Sequence, residues 1–234
     1  MRLLNHVEGI TEETFTNELL APHLMGAGYG SVGARLIGNA RLRSHRGGTR
    51  AWNDVKRDII RHLRSDEGAV ATTMVDYYAL PATGPKAWPG RANANRHEFA
   101  KKAQIVEAAL LNEIAAEMGG NFNSQRFVPF VVMHEFEGLL FSDCDAFARA
   151  IGKETLASAL RKIRNEFNTP EEINDSPYTA PSKRIGLLLP NYDKALFGNV
   201  AALEIGLEKI RKQCPHFAQW LATLEALPDS QRVS

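Results

Sequence analysis

Four short apolar runs occupy the first 133 residues, separated by segments whose apolar side chains recur every three or four positions. The runs are "LLNHV", "SVGARLIG", "GAVATTMVD" and "RFVPFVVM", and between them lie "TEETFTNELLAPHL", "AWNDVKRDIIRHLRS" and "HEFAKKAQIVEAALLNEIAAEMGG". The third run is β-branched and apolar almost throughout, as expected of a strand covered on both faces. Repeated strand and helix alternation predicts an α/β fold, a mainly parallel sheet flanked by helices. The first helical segment opens on Thr11, which can cap it, with Glu12 and Glu13 suited to a helix N-terminus.

In such a sheet ligands gather outside the C-terminal ends of the strands. Three of those ends carry acids: Glu8 after the first, Asp76 at the close of the third, and Glu135 and Glu137 after the fourth. Hard oxygen ligands drawn from separate strands are the usual way to hold Mg²⁺ or Mn²⁺ beside a phosphate. Gly9 lets a backbone or a phosphate approach closely, and Glu12 can reach the same side of the turn. If the fourth strand runs through Glu135 and Glu137, both point to one face. If a helix has begun, they diverge and only one enters the site, for which Glu137 is favoured.

Composition narrows the partners. With 28 basic and 27 acidic residues the net charge is +1, so any affinity for an anionic partner must come from local clusters. One is "NARLRSHRGGTR", where Arg41, Arg43, Arg46 and Arg50 surround a glycine pair; another is Lys183 and Arg184 in "PSKRIG". Arg46, Arg50, Lys183 and Arg184 are candidate phosphate contacts. No Walker motif is present, so hydrolysis of ATP by this chain is not expected. Two isolated cysteines, no long apolar segment and no leader-like N-terminus predict a soluble cytoplasmic protein with no membrane partner. His6 and His134 adjoin strand-end acids and could move a proton or turn a ligand. Tyr77 and Tyr78 are expected to pack rather than to stack on bases. From about Asp145 onward the pattern is helical, which predicts an α/β domain over 1–144 and a helical extension or cap over 145–234.

"VEGITEETF" followed by a strand ending in "VDYY" resembles the Toprim fold of topoisomerases, primases and overcoming-lysogenization-defect nucleases. With "VDYYALP", "MHEFEGLLFSD" and "PSKRIGLLLPNYDK", most of the chain more closely resembles the DUF4276 family, which is grouped with Toprim-like proteins and often encoded near ATPases. That resemblance implies a catalytic set of Glu8, Asp76 and Glu137, with metal ligands drawn from Glu8, Glu12, Asp76, Glu135 and Glu137. Asp76 would be the first acid of the D-x-D motif; Tyr78 stands where the second belongs, and Glu135 or Glu137 would fill the gap. The implied activity is a Mg²⁺- or Mn²⁺-dependent nuclease working with an ATPase partner in anti-phage defence, on DNA rather than RNA. The alternative is a non-catalytic subunit of an ATPase complex. The weakly basic composition adds that nucleic-acid affinity would depend on that partner or on homo-oligomerisation.

Overall fold

A computed structural model describes residues 1–37, 50–174, 176 and 178–230. Strands β1 (Arg2–Val7), β2 (Ser31–Leu36), β3 (Ala69–Asp76), β4 (Phe127–Val128) and β5 (Val131–Val132) form one sheet in the order β2-β1-β3-β4, with β5 pairing β3 beyond β4. Every pairing is parallel. β4 and β5 are one predicted strand broken by Pro129, which has no N–H to donate. The Thr73 hydroxyl mends the gap, accepting from Phe130 N at 2.9 Å and donating to its carbonyl at 3.0 Å.

Helices cover both faces. The first connection is α1 (Ile10–Phe15), a π-helical turn (Thr16–Leu20) and α2 (Ala21–Gly26). Gly9 rather than Thr11 is the N-cap, and no side chain caps this helix, so the expectation of a Thr11 cap is corrected. α3 (Trp52–Ser65) and α5 (Phe99–Met118) cover the opposite face; Val55, Ile59, Val106 and Leu110 pack there against Ala71, Val75 and Val131. A single turn, α4 (Arg91–Ala94), precedes α5.

After β5 the described chain is helical: α6 (Glu137–Leu140), α7 (Cys144–Ala150), α8 (Ala157–Arg164), α9 (Pro181–Leu188), a π-helical turn (Lys194–Gly198), α10 (Asn199–Ile205), α11 (Leu207–Gln213) and α12 (Pro215–Ser230). These helices share a core with the sheet. Phe217, Trp220 and Leu224 lie with Leu3, Val70, Phe15 and Phe130 in one apolar cluster, Trp220 stacks on Phe130 with centroids 4.3 Å apart, and its indole N–H donates to Thr72 at 2.9 Å. Among the described residues no helix is long and apolar enough to cross a membrane.

The connectivity defines where a ligand would sit. From β1 the chain steps outward to β2, whereas from β3 it steps the other way to β4. The crevice between the C-terminal ends of β1 and β3 is therefore the topological switch point. Glu8 and Asp76 stand on its two sides.

Candidate active site: a carboxylate cluster around Lys194

Glu8 leaves the end of β1, and its carboxylate reaches across the crevice to accept from Asp76 N at 3.4 Å. Glu12 is buried on the first turn of α1. Two features hold it. Asn5 of β1 donates to the Thr16 hydroxyl at 2.9 Å, and that hydroxyl donates to the Glu12 carbonyl at 2.7 Å, which ties the helix to the strand below. A β-carbon on Gly9 would lie 2.9 Å from a Glu12 carboxylate oxygen, so the glycine makes room for the acid. Gly9 has φ −141°, an extended backbone any residue adopts; the requirement is space.

On the other side, Asp76 ends β3 and accepts from Phe136 N at 2.9 Å. The chain reaches Phe136 through His134, a non-glycine residue at φ +61°. This left-handed residue turns the backbone over the strand end directly beside the site, a place where such strain is often found. A helix has begun by Glu137, so the two acids diverge. Glu137 is fully buried in the cluster, whereas Glu135 accepts from Ser182 N at 2.9 Å at the start of α9.

Lys194 completes the cluster. It opens the π-helical turn after Asp193, whose carboxylate accepts from Leu196 N at 3.1 Å. Its ammonium lies 3.1 Å from Asp76, 3.2 Å from Glu137 and 3.5 Å from Glu12. Three carboxylates thus surround one cation, and Glu8 adds its charge from farther off. Burial, then the charges of Asp76 and Glu12, push the Glu8 carboxyl up to about 8. Burial raises Glu137 to about 7 against the pull of Lys194, and it raises Glu12 as well. For Lys194 burial acts in the opposite sense, but Asp76, Glu137, Glu12 and Glu8 outweigh it and hold the ammonium well above its ordinary value.

The donor set fits a hard divalent cation. Four carboxylates from separate elements converge, and a single ammonium, 3.2 Å from fully buried Glu137, offsets their charge. As the side chains stand, no three His, Cys, Asp or Glu residues among those described are spaced to share one ion. Lys194 Nζ stands at the point on which three of the carboxylates converge.

The remaining expected site residues fall elsewhere or outside. Arg41, Arg43 and Arg46 lie outside the described residues. Arg50 is half-buried before α3, its carbonyl accepts from Trp88 at 2.9 Å, and its side chain pairs with none of the four acids. Arg184 is held by Glu166 at 2.9 Å, by the Thr179 carbonyl and over the Phe167 ring, all on the extension. Lys183 is exposed and lines a cavity that reaches Glu137 and Lys194. His6 faces away from the acids toward His62 on α3, with ring centroids 6.0 Å apart; burial, then His62 and Arg35, hold it down at about 3. His134 packs against Tyr77 and Phe99. Tyr77 is buried beneath Arg91, whereas Tyr78 is partly exposed, and its N–H donates to the His134 carbonyl at 3.0 Å. Cys144 and Cys214 are buried free thiols that burial raises away from thiolate chemistry.

Fold and site together define a doubly wound, all-parallel α/β protein with a buried acidic cluster at its switch point. The chain belongs to the family described as Domain of unknown function (DUF4276), whose model matches residues 7–225. No curated protein and no solved structure matches it.

Proposed function

We propose that the chain is a divalent-metal-dependent phosphodiesterase acting on nucleic acid, in the manner of Toprim nucleases. The observation that carries this reading is the convergence of Glu8, Glu12, Asp76 and Glu137 at the switch point with one ammonium against four carboxylates. Glu8, Glu12, Asp76 and Glu137 would hold Mg²⁺ or Mn²⁺; when bound, such an ion supplies a water of lowered pKa and stabilises charge on a phosphate. The Asp76 carboxylate is oriented by Phe136 N, and the Asn5–Thr16 chain fixes the main chain of Glu12 through its carbonyl. Lys194, released from the centre of the cluster, is placed to donate to a phosphate oxygen. The ATPase partner and a role in defence against foreign DNA rest on the family resemblance alone.

The test is cleavage of plasmid, single-stranded DNA and RNA with Mg²⁺ or Mn²⁺ by wild type, Glu8→Gln and Glu137→Gln. The expected result is metal-dependent strand scission that falls at least about a hundredfold in each variant. Scission that persists in both variants would rule out this site.

A second reading is favoured by Lys194 at the convergence point and by Tyr78 in place of the second acid of the motif. In it the ammonium is a permanent counter-ion, and the chain is a non-catalytic subunit of an ATPase complex. It requires that millimolar Mn²⁺ leave the melting temperature unchanged.

A further inference from the structure

A cavity of about 620 Å³ opens beside the cluster, floored by Glu137 and Lys194 and walled by the exposed residues Tyr178, Lys183 and Leu187. Three observations bear on its occupant. First, the floor ends on a fully buried carboxylate, Glu137, faced by the Lys194 ammonium at 3.2 Å, so an acid and a cation lie together at the deep end. Second, Lys183 makes no ion pair with any described residue, whereas the adjacent Arg184 is tied into the extension. Third, Tyr178 is 84% exposed and Leu187 81%, an aromatic and an aliphatic surface left open at the rim. Beyond the acid and its ammonium, the cavity thus offers an unpaired cation and exposed apolar surface.

We propose that this cavity is the substrate groove, and that it takes a single-stranded nucleic-acid segment rather than a duplex. The inference rests on the phosphodiesterase reading of the acidic cluster. Its volume is that of a ligand pocket, with room for about one or two nucleotides. A duplex instead needs a broad basic face, burying roughly 1,000–2,500 Å². The described surface at the cavity offers one free lysine, and the chain carries a net charge of +1. Tyr178 stacks a base, since every base presents a π-face, and Lys183 holds the neighbouring phosphate. The next phosphate inward then lies over Glu137 and Lys194.

Fluorescence anisotropy with an end-labelled 12-nucleotide strand and the same sequence as a duplex, in chelator, tests this on wild type, Tyr178→Ala and Lys183→Ala. Mn²⁺ calorimetry on the same proteins runs beside it. The single strand is expected to bind at least about tenfold tighter than the duplex, and each variant to lose about tenfold for the strand. Mn²⁺ binding should stay unchanged, because neither side chain touches the acids. Normal Mn²⁺ binding with equal affinity for strand and duplex, or with variants that bind like wild type, overturns the groove and leaves the metal site standing. Absent Mn²⁺ binding in all three proteins overturns the phosphodiesterase reading and the inference with it. Loss of self-association on Tyr178→Ala, with strand binding intact, would make the rim a protein contact and also overturn the proposal.

Discussion

Replacing Lys194 by methionine removes the ammonium that lies 3.1 to 3.5 Å from Asp76, Glu137 and Glu12. Breaking a buried pair costs about 3–5 kcal/mol, but the Lys194 side chain is 39% exposed, so the expected loss at pH 8 is about 1–2 kcal/mol. Mn²⁺ should then raise the melting temperature of Lys194→Met more than that of wild type, because the ion no longer competes with the ammonium. Equal shifts in the two proteins would separate Lys194 from the ion's position. The acids set a pH dependence whose sign is fixed. Glu8 and Glu137 keep their protons up to about 8 and about 7, against an ordinary 4.5. Between those values the folded chain holds protons that the unfolded chain has released, so metal-free stability falls as pH rises from about 5 to about 8. Urea midpoints measured in chelator at pH 5.5 and 8.5 check this; a higher midpoint at pH 8.5 would contradict it. The sequence shows Glu8, Glu12, Asp76 and Glu137 because each abuts a strand end. It does not show Lys194, which comes 118 residues after Asp76 on a segment with no periodic signal. Only the packing of the π-helical turn over the crevice joins them.

Strand and helix units follow the apolar periodicity closely: the four predicted strands fall on β1, β2, β3 and the β4–β5 pair, and α3 and α5 coincide with predicted helices. The signal holds because each element buries one continuous apolar surface. What periodicity misses is set by single hydrogen bonds. Pro129 interrupts the fourth strand, and the cross-strand Thr73 hydroxyl satisfies both backbone groups of Phe130. Thr73→Val keeps the shape and leaves Phe130 N–H and C=O unpaired, with an expected loss of about 2 kcal/mol in urea unfolding. An unchanged midpoint would mean that Phe130 finds other partners. The π-helical turn at Thr16–Leu20 and the left-handed His134 are likewise invisible in a pattern of apolar residues. Both lie next to site acids.

Across the whole molecule, the C-terminal helices complete one face of the sheet. Trp220, Phe217 and Leu224 fill the layer above Leu3, Val70 and Phe130, and the π-helical turn brings Lys194 to the crevice from the same segment. A chain ended at residue 144 would expose that layer and lose the counter-ion of the cluster. It is expected to show no cooperative thermal transition by circular dichroism; a sharp transition would mean that the sheet and its first helices suffice for a stable core. This dependence also links site and fold, since the cluster joins acids of the first 137 residues to Lys194 of the C-terminal segment. The most direct test is calorimetric titration of Mn²⁺ into wild type and Asp76→Asn at pH 8. Saturable binding by wild type, with proton release and a loss of at least about tenfold in Asp76→Asn, is the predicted result. The absence of saturable binding to the folded wild-type protein at millimolar Mn²⁺ would contradict the account.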